Sequence, residues 1–129
     1  MSGAKLGDFM TPNPIVIDAG ETLSAARRLM SERKIRHLPV VSGGLLVGVL
    51  SDRDLQFVET LHTLDFETAH VADAMSHEPA HAAPGDSLAA VAKRMAESKV
   101  GSILVVDAGR VVGLFTTIDA LRALSQLAG

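Results

Sequence analysis

The chain has 129 residues, enough for one compact domain or two very small ones that share a core. Hydrophobic residues make up 47% and charged residues 21%, which excludes a disordered chain, while a net charge of −3 and 3% aromatics exclude the basic field and stacking faces of a nucleic-acid binder. The absence of cysteine excludes disulfides and thiolate metal sites, and no apolar run reaches the roughly 18 residues of a membrane span, so a soluble, cytoplasmic protein is expected.

In chain order, the N-terminus Met1-Ser2-Gly3-Ala4-Lys5 leads into no apolar core of signal-peptide length. Residues 6–10 read as a short helical turn that ends before prolines, and Ile15-Val16-Ile17 is a short β-prone run. Thr22, preceded by Glu21, is an N-cap candidate, and Leu23, Ala26, Leu29 and Met30 behind it have the spacing of an amphipathic helix with one buried face. Residues 36–42 and 45–51 are β-branched runs joined through Ser42-Gly43-Gly44, which has hairpin chemistry. A helix over residues 52–63 follows, and then a connector over 64–70.

From residue 71 the pattern starts again. A shift of 65 positions aligns residues 8–54 with 73–119 without a gap and gives 15 identities in 47 positions. Met10 falls on Met75, Met30 on Met95, Gly48 on Gly113 and Asp54 on Asp119. The second copy therefore repeats the turn (71–75), the β-prone run (Ala80-His81-Ala82), the capped helix (Ser87, then Leu88, Val91, Ala92 and Met95), the hairpin (101–107 and 110–116) and the last helix (117–128). The fold class is α/β (α+β): two β-α-β-β-α repeats, 5–63 and 71–128, expected to pack with pseudo-twofold symmetry because neither buries much alone.

Each copy ends in Gly-x-x-Ser/Thr-x-x-Asp: Gly48, Ser51 and Asp54 in the first, Gly113, Thr116 and Asp119 in the second. A hydroxyl at a strand end sits beside the free N–H groups of the following helix, where an anion is favoured. A carboxylate one turn on faces the same side and suits a ribose diol, and the glycine lets backbone or ligand approach closely. The same spacing is also a capping box that needs no ligand. The two roles are compatible.

The chain resembles a tandem pair of cystathionine-β-synthase (CBS) domains. The resemblance is carried by Asp8-x-Met10-Thr11-Pro12, Ile35-Arg36-His37-Leu38-Pro39-Val40-Val41 and Gly48-Val49-Leu50-Ser51-Asp52-Arg53-Asp54-Leu55, and by Val100–Asp107 and Gly113–Leu121 in the second copy. It implies an adenosine-containing ligand (AMP, ADP, ATP or S-adenosylmethionine) in the cleft between the copies. Asp54 and Asp119 would hold ribose hydroxyls, and Ser51, Thr116 and Thr117 would meet phosphate or ribose. Ile15 and Ile17, with Ala80 and Ala82, would flank the adenine. The first copy alone carries Arg36, His37 and Arg53, where the second has Gly101, Ser102 and Ile118, so its cations suit a polyanion. Arg33 and Lys34 read instead as a solvated helix end.

Two further readings bound the function. His77 and His81 stand i, i+4 with Pro79 between them, which argues against one helical face and hence a metal site. Asp52 and Asp54 have no partner base, nucleophile or oxyanion device, so catalysis and a required cofactor are not expected. The expectation is a regulatory sensor, homodimeric, acting on an unidentified protein partner in trans, with no nucleic acid or membrane partner. A scaffold that uses the fold only for self-association is the alternative.

Overall fold

The computed structural model describes residues 3–77 and 79–128. Its elements in chain order are β1 (Thr11–Pro12), β2 (Ile17–Asp18), α1 (Leu23–Arg33), β3 (His37–Ser42), β4 (Leu45–Ser51), α2 (Asp52–Leu61), β5 (His81–Ala82), α3 (Leu88–Ser98), β6 (Ser102–Asp107), β7 (Arg110–Thr116) and α4 (Thr117–Ala128). Short 3-10 turns lie at Leu6–Asp8 and Val71–Asp73. The chain divides into two compact units. One is Ile15–Pro79, and the other joins residues 80–128 to the described part of residues 1–14.

In the unit Ile15–Pro79 the strands lie in the order β2-β3-β4. Ile17 faces Val40 in the parallel pair, and His37 faces Ser51 in the antiparallel one. Gly43 and Gly44 turn the hairpin with φ of 59° and 81°, the left-handed geometry that matches strand twist. Leu23, Ala26 and Met30 of α1 and Leu55 and Val58 of α2 belong to one core with Leu38, Val40 and Leu50 of the sheet. Helix α1 starts on Thr22, whose hydroxyl accepts the Ala25 N–H at 3.1 Å. Two more of its free donors, the N–H groups of Leu23 and Ser24, reach the carbonyls of Ala69 (3.1 Å) and Phe66 (2.9 Å). The connector thus completes the helix start.

In the other unit the order is β1-β7-β6-β5, with Thr11 opposite Leu114. Leu6 is fully buried in a core with Leu88, Val91, Met95, Val105 and Phe115. Leu88 N–H donates to the Ala4 carbonyl at 3.0 Å, the equivalent of the Leu23–Ala69 bond. Ser87 caps α3 by accepting the Ala90 N–H at 3.2 Å.

The N-terminal segment therefore completes the sheet and core of the second copy, and residues 71–76 serve the first copy in the same way. Val71 is fully buried in the core of Ile15–Pro79, and Ser76 and Val49 exchange two main-chain hydrogen bonds of 2.9 Å each. The boundaries 5–63, 64–70 and 71–128 describe the duplication in sequence, while the compact units cut across them.

Local differences from the sequence reading have plain causes. Of the β-prone run Ile15-Val16-Ile17 only Ile17 finds a partner; the strand extends instead to Asp18, whose carboxylate ends it by accepting the Gly20 N–H at 2.8 Å. Ala80 lies outside β5 and offers only its carbonyl, to Leu104 N–H at 3.3 Å. Helix α2 stops at Leu61 rather than at residue 63, because His62 takes φ of 52° and turns the chain out of the helix. Arg36 and Gly101 lie one residue before β3 and β6.

Candidate functional site

The β3–β4 hairpin gathers the first copy's candidate residues. His37 stands opposite Ser51, and the Arg36 carbonyl accepts the Asp52 N–H at 2.9 Å. At the start of α2, the Ser51 hydroxyl accepts the Asp54 N–H at 3.0 Å, and Asp54 Oδ2 accepts the Ser51 N–H at 2.9 Å. The capping box is therefore real, and it takes one of the two acceptor sites of Asp54 Oδ2. Asp54 is half-buried, and among the described residues its Oδ1 accepts no hydrogen bond. Arg36, His37 and Arg53 are exposed, and among the described residues neither guanidinium is held in an ion pair. Ile15 is half-buried, whereas Ile17 belongs to the core.

The second copy repeats the box with a different surrounding. Thr116 Oγ1 accepts the Asp119 N–H at 3.1 Å, and Asp119 Oδ2 accepts from the Thr116 N–H at 2.9 Å and the Thr116 hydroxyl at 3.1 Å. Thr117 is exposed, and its N–H and its hydroxyl both donate to the Gly101 carbonyl, at 3.0 and 3.3 Å. Asp119 is 5% exposed and is the buried charged residue of the chain among those described. Its carboxylate also accepts the hydroxyl of Thr11, at 3.0 Å to Oδ1 and 3.3 Å to Oδ2, and Arg122 Nη1 lies 3.7 Å from Oδ1. The sequence reading passed over Thr11, which lies 108 positions away and is placed only by the β1–β7 pairing. Ala82 is buried in the core and Ala80 is exposed.

The motif glycines have a purely internal cause. A Cβ on Gly48 would meet the Ser76 carbonyl oxygen at 2.6 Å and Met75 Sδ at 2.7 Å. A Cβ on Gly113 would strike Met10 and come within 3.1 Å of the Thr11 carbonyl oxygen. Each glycine makes room for the Met-Thr/Ser segment laid across its strand. The repeated methionine and the repeated glycine are thus one packing feature.

With this geometry, the model of the CBS domain family matches residues 6–58 and 71–126. The chain is a tandem CBS-domain protein. YhcV of Bacillus subtilis, a CBS domain-containing protein, is 32% identical over 119 residues, 92% of this CBS pair and 83% of YhcV. Inosine-5′-monophosphate dehydrogenase of Korarchaeum cryptofilum is 33% identical over 112 residues, which are 86% of this chain but 22% of the enzyme. Among solved structures, CBSX2 of Arabidopsis thaliana in complex with AMP has a TM-score of 0.83 at 32% identity, covering 98% of this chain and all of that one. AcuB from Vibrio cholerae has a TM-score of 0.84 at 31% identity, over 97% of this chain and 93% of AcuB.

The two CBS copies also differ on their helices. Between α1 and α2 lies a shallow depression of about 350 Å³, bordered by Arg27, Met30, Ile35, Asp52, Leu55 and Glu59. Arg27 bonds Glu59 at 2.8 Å and stacks over Phe66 at 4.0 Å. The aligned positions on α3 and α4 are Ala92, Met95, Val100, Thr117, Ala120 and Leu124, with no charge among them. Ile118, Leu121 and Leu124 are each at least half exposed there.

Proposed function

We propose that this CBS pair is a regulatory module that binds an adenine nucleotide and has no catalytic role of its own. The observation that carries the reading is the Ser51–Asp54 box: a half-buried carboxylate with one oxygen that accepts no bond, near Arg36 and Arg53 that form no ion pair, among the described residues. The similarity to AMP-bound CBSX2 over nearly the whole chain supports the ligand class. In this reading Asp54 takes the ribose hydroxyls bidentately. Ser51 and the Arg53 N–H at the start of α2 are the candidates to meet phosphate, with Arg36, His37 and Arg53 supplying positive charge. Ile15 in the first copy and Ala80 in the second are the candidates for contact with adenine, whereas Ile17 and Ala82 are held in their cores. Thr116, Thr117 and Asp119 occupy the corresponding positions of the second copy. AMP, ADP, ATP and S-adenosylmethionine are the ligands to compare.

The exposed apolar row on α4 favours self-association, so the module is proposed to be a homodimer that passes its signal to a protein partner in trans. No described helix is long and apolar enough to cross a membrane, and cytoplasmic action remains part of the proposal. A scaffold without ligand is the competing reading, favoured by the same apolar row. Thermal denaturation with each nucleotide separates them. A ligand at 100 times its Kd stabilises the native state by about 2.7 kcal/mol, a clear rise in melting temperature. Asp54→Ala should remove the rise, whereas no shift with any of the four at millimolar concentration decides for the scaffold.

A further inference from the structure

The geometry points to a division of labour between the two motif carboxylates: Asp54 is the ribose-competent one, while Thr11 occupies Asp119 and makes it a clamp for the N-terminal segment. This inference rests on the nucleotide reading for its first half and on contacts alone for its second. A vicinal diol bound bidentately needs a vacant acceptor site on each carboxylate oxygen, and each oxygen has two. Asp119 has at most one left, on Oδ1. Its Oδ2 accepts from Thr116 twice, and the Thr11 hydroxyl is shared between Oδ1 and Oδ2 at 3.0 and 3.3 Å, with Arg122 beside Oδ1. The residue is also 5% exposed.

Asp54 is half-buried, and among the described residues only the Ser51 N–H reaches its carboxylate, which leaves Oδ1 and one acceptor site of Oδ2 open. Thr11 is aligned with Ser76, and both lie across their strand next to the motif glycine. Among the described residues, the Ser76 hydroxyl makes no bond to Asp54. The Thr side chain, branched at Cβ, is confined to few χ1 states, whereas a serine hydroxyl rotates freely among three. The Thr11/Ser76 difference thus accompanies a carboxylate committed to the fold in one copy and one left open in the other. The open one also lies in the copy that carries Arg36, His37 and Arg53.

The test uses the full chain with Thr11→Val and Asp54→Asn. Thr11 is exposed and valine keeps its shape, so this variant should fold, and asparagine can still accept the Ser51 N–H. Hydrogen exchange reads the clamp without ligand. In Thr11→Val the Asn13 amide, which donates to the Val112 carbonyl, should exchange about tenfold or more faster, an unchanged rate overturning the clamp. Equilibrium dialysis with AMP reads the division. The parent should take up one AMP per chain and Asp54→Asn none. Thr11→Val should gain a weaker second equivalent at millimolar AMP. Two equivalents in the parent, or binding that survives Asp54→Asn, overturns the assignment. If neither protein binds AMP, the nucleotide reading fails with the Asp54 half, and the exchange rates still decide the clamp.

Discussion

Replacing Gly48 with alanine puts the segment-exchange architecture under a measurable load. The new Cβ would lie 2.6 Å from the Ser76 carbonyl oxygen, where ordinary contact begins near 3.4 Å, so that oxygen must retreat by about 0.8 Å. Ser76 is tied to Val49 by two hydrogen bonds of 2.9 Å, and lengthening both by that much takes them past hydrogen-bonding range. Overpacking costs about 1–3 kcal/mol and each lost bond about 0.5–1.5 kcal/mol net; the contributions overlap, so about 2–4 kcal/mol is expected. At this chain length that is a fall of roughly 6–15 °C in melting temperature, read by circular dichroism or calorimetry. Gly85→Ala is the control. No heavy atom lies within 4 Å of its Cβ position and its φ is not positive, so the variant should melt at the parent temperature or slightly above. If Gly48→Ala melts within about 2 °C of the parent, the glycine is not there for Met75 and Ser76, and the packing argument is refuted.

Other outcomes follow from single features. Ala108 sits in the second hairpin turn with φ of 51°, a left-handed conformation that glycine adopts without penalty, so Ala108→Gly should raise stability by up to about 1 kcal/mol in a urea melt. Ser51→Ala removes the acceptor for the Asp54 N–H and should lower stability by about 1 kcal/mol even without ligand, whereas Asp54→Asn should cost less. Arg27 and Glu59 are about half exposed or more, so Glu59→Gln should change the unfolding free energy by less than about 1 kcal/mol despite the 2.8 Å contact. Arg53→Gln should weaken ATP more than AMP and flatten the salt dependence of binding, as titration calorimetry at two ionic strengths would show.

What could be read from the residues alone was the local part. The caps at Thr22, Ser87, Ser51 and Thr116 are three-residue relations, and the buried faces of α1 and α3 follow from helical spacing, so both were legible. The duplication made the second copy readable through the first where its own signal was weak, as at β5. Three things were not legible. Ile15 and Val16 are as β-prone as Ile17, but strand extent depends on finding a partner on β3. The motif glycine was explained by ligand or backbone approach in general, and only the fold shows Met75 and Met10 lying against it. Thr11 is joined to Asp119 across 108 positions, through an exchange of the two heads that no local pattern encodes.

The functional proposal depends on an adenine nucleotide binding at the Ser51–Asp54 box. An AMP titration followed by the amide resonances of the labelled chain tests it residue by residue. Saturable shifts are expected, largest at Arg36, His37 and residues 51–54. Shifts confined to the α1–α2 depression around Arg27 and Glu59, or no saturable shift at millimolar AMP, would contradict it.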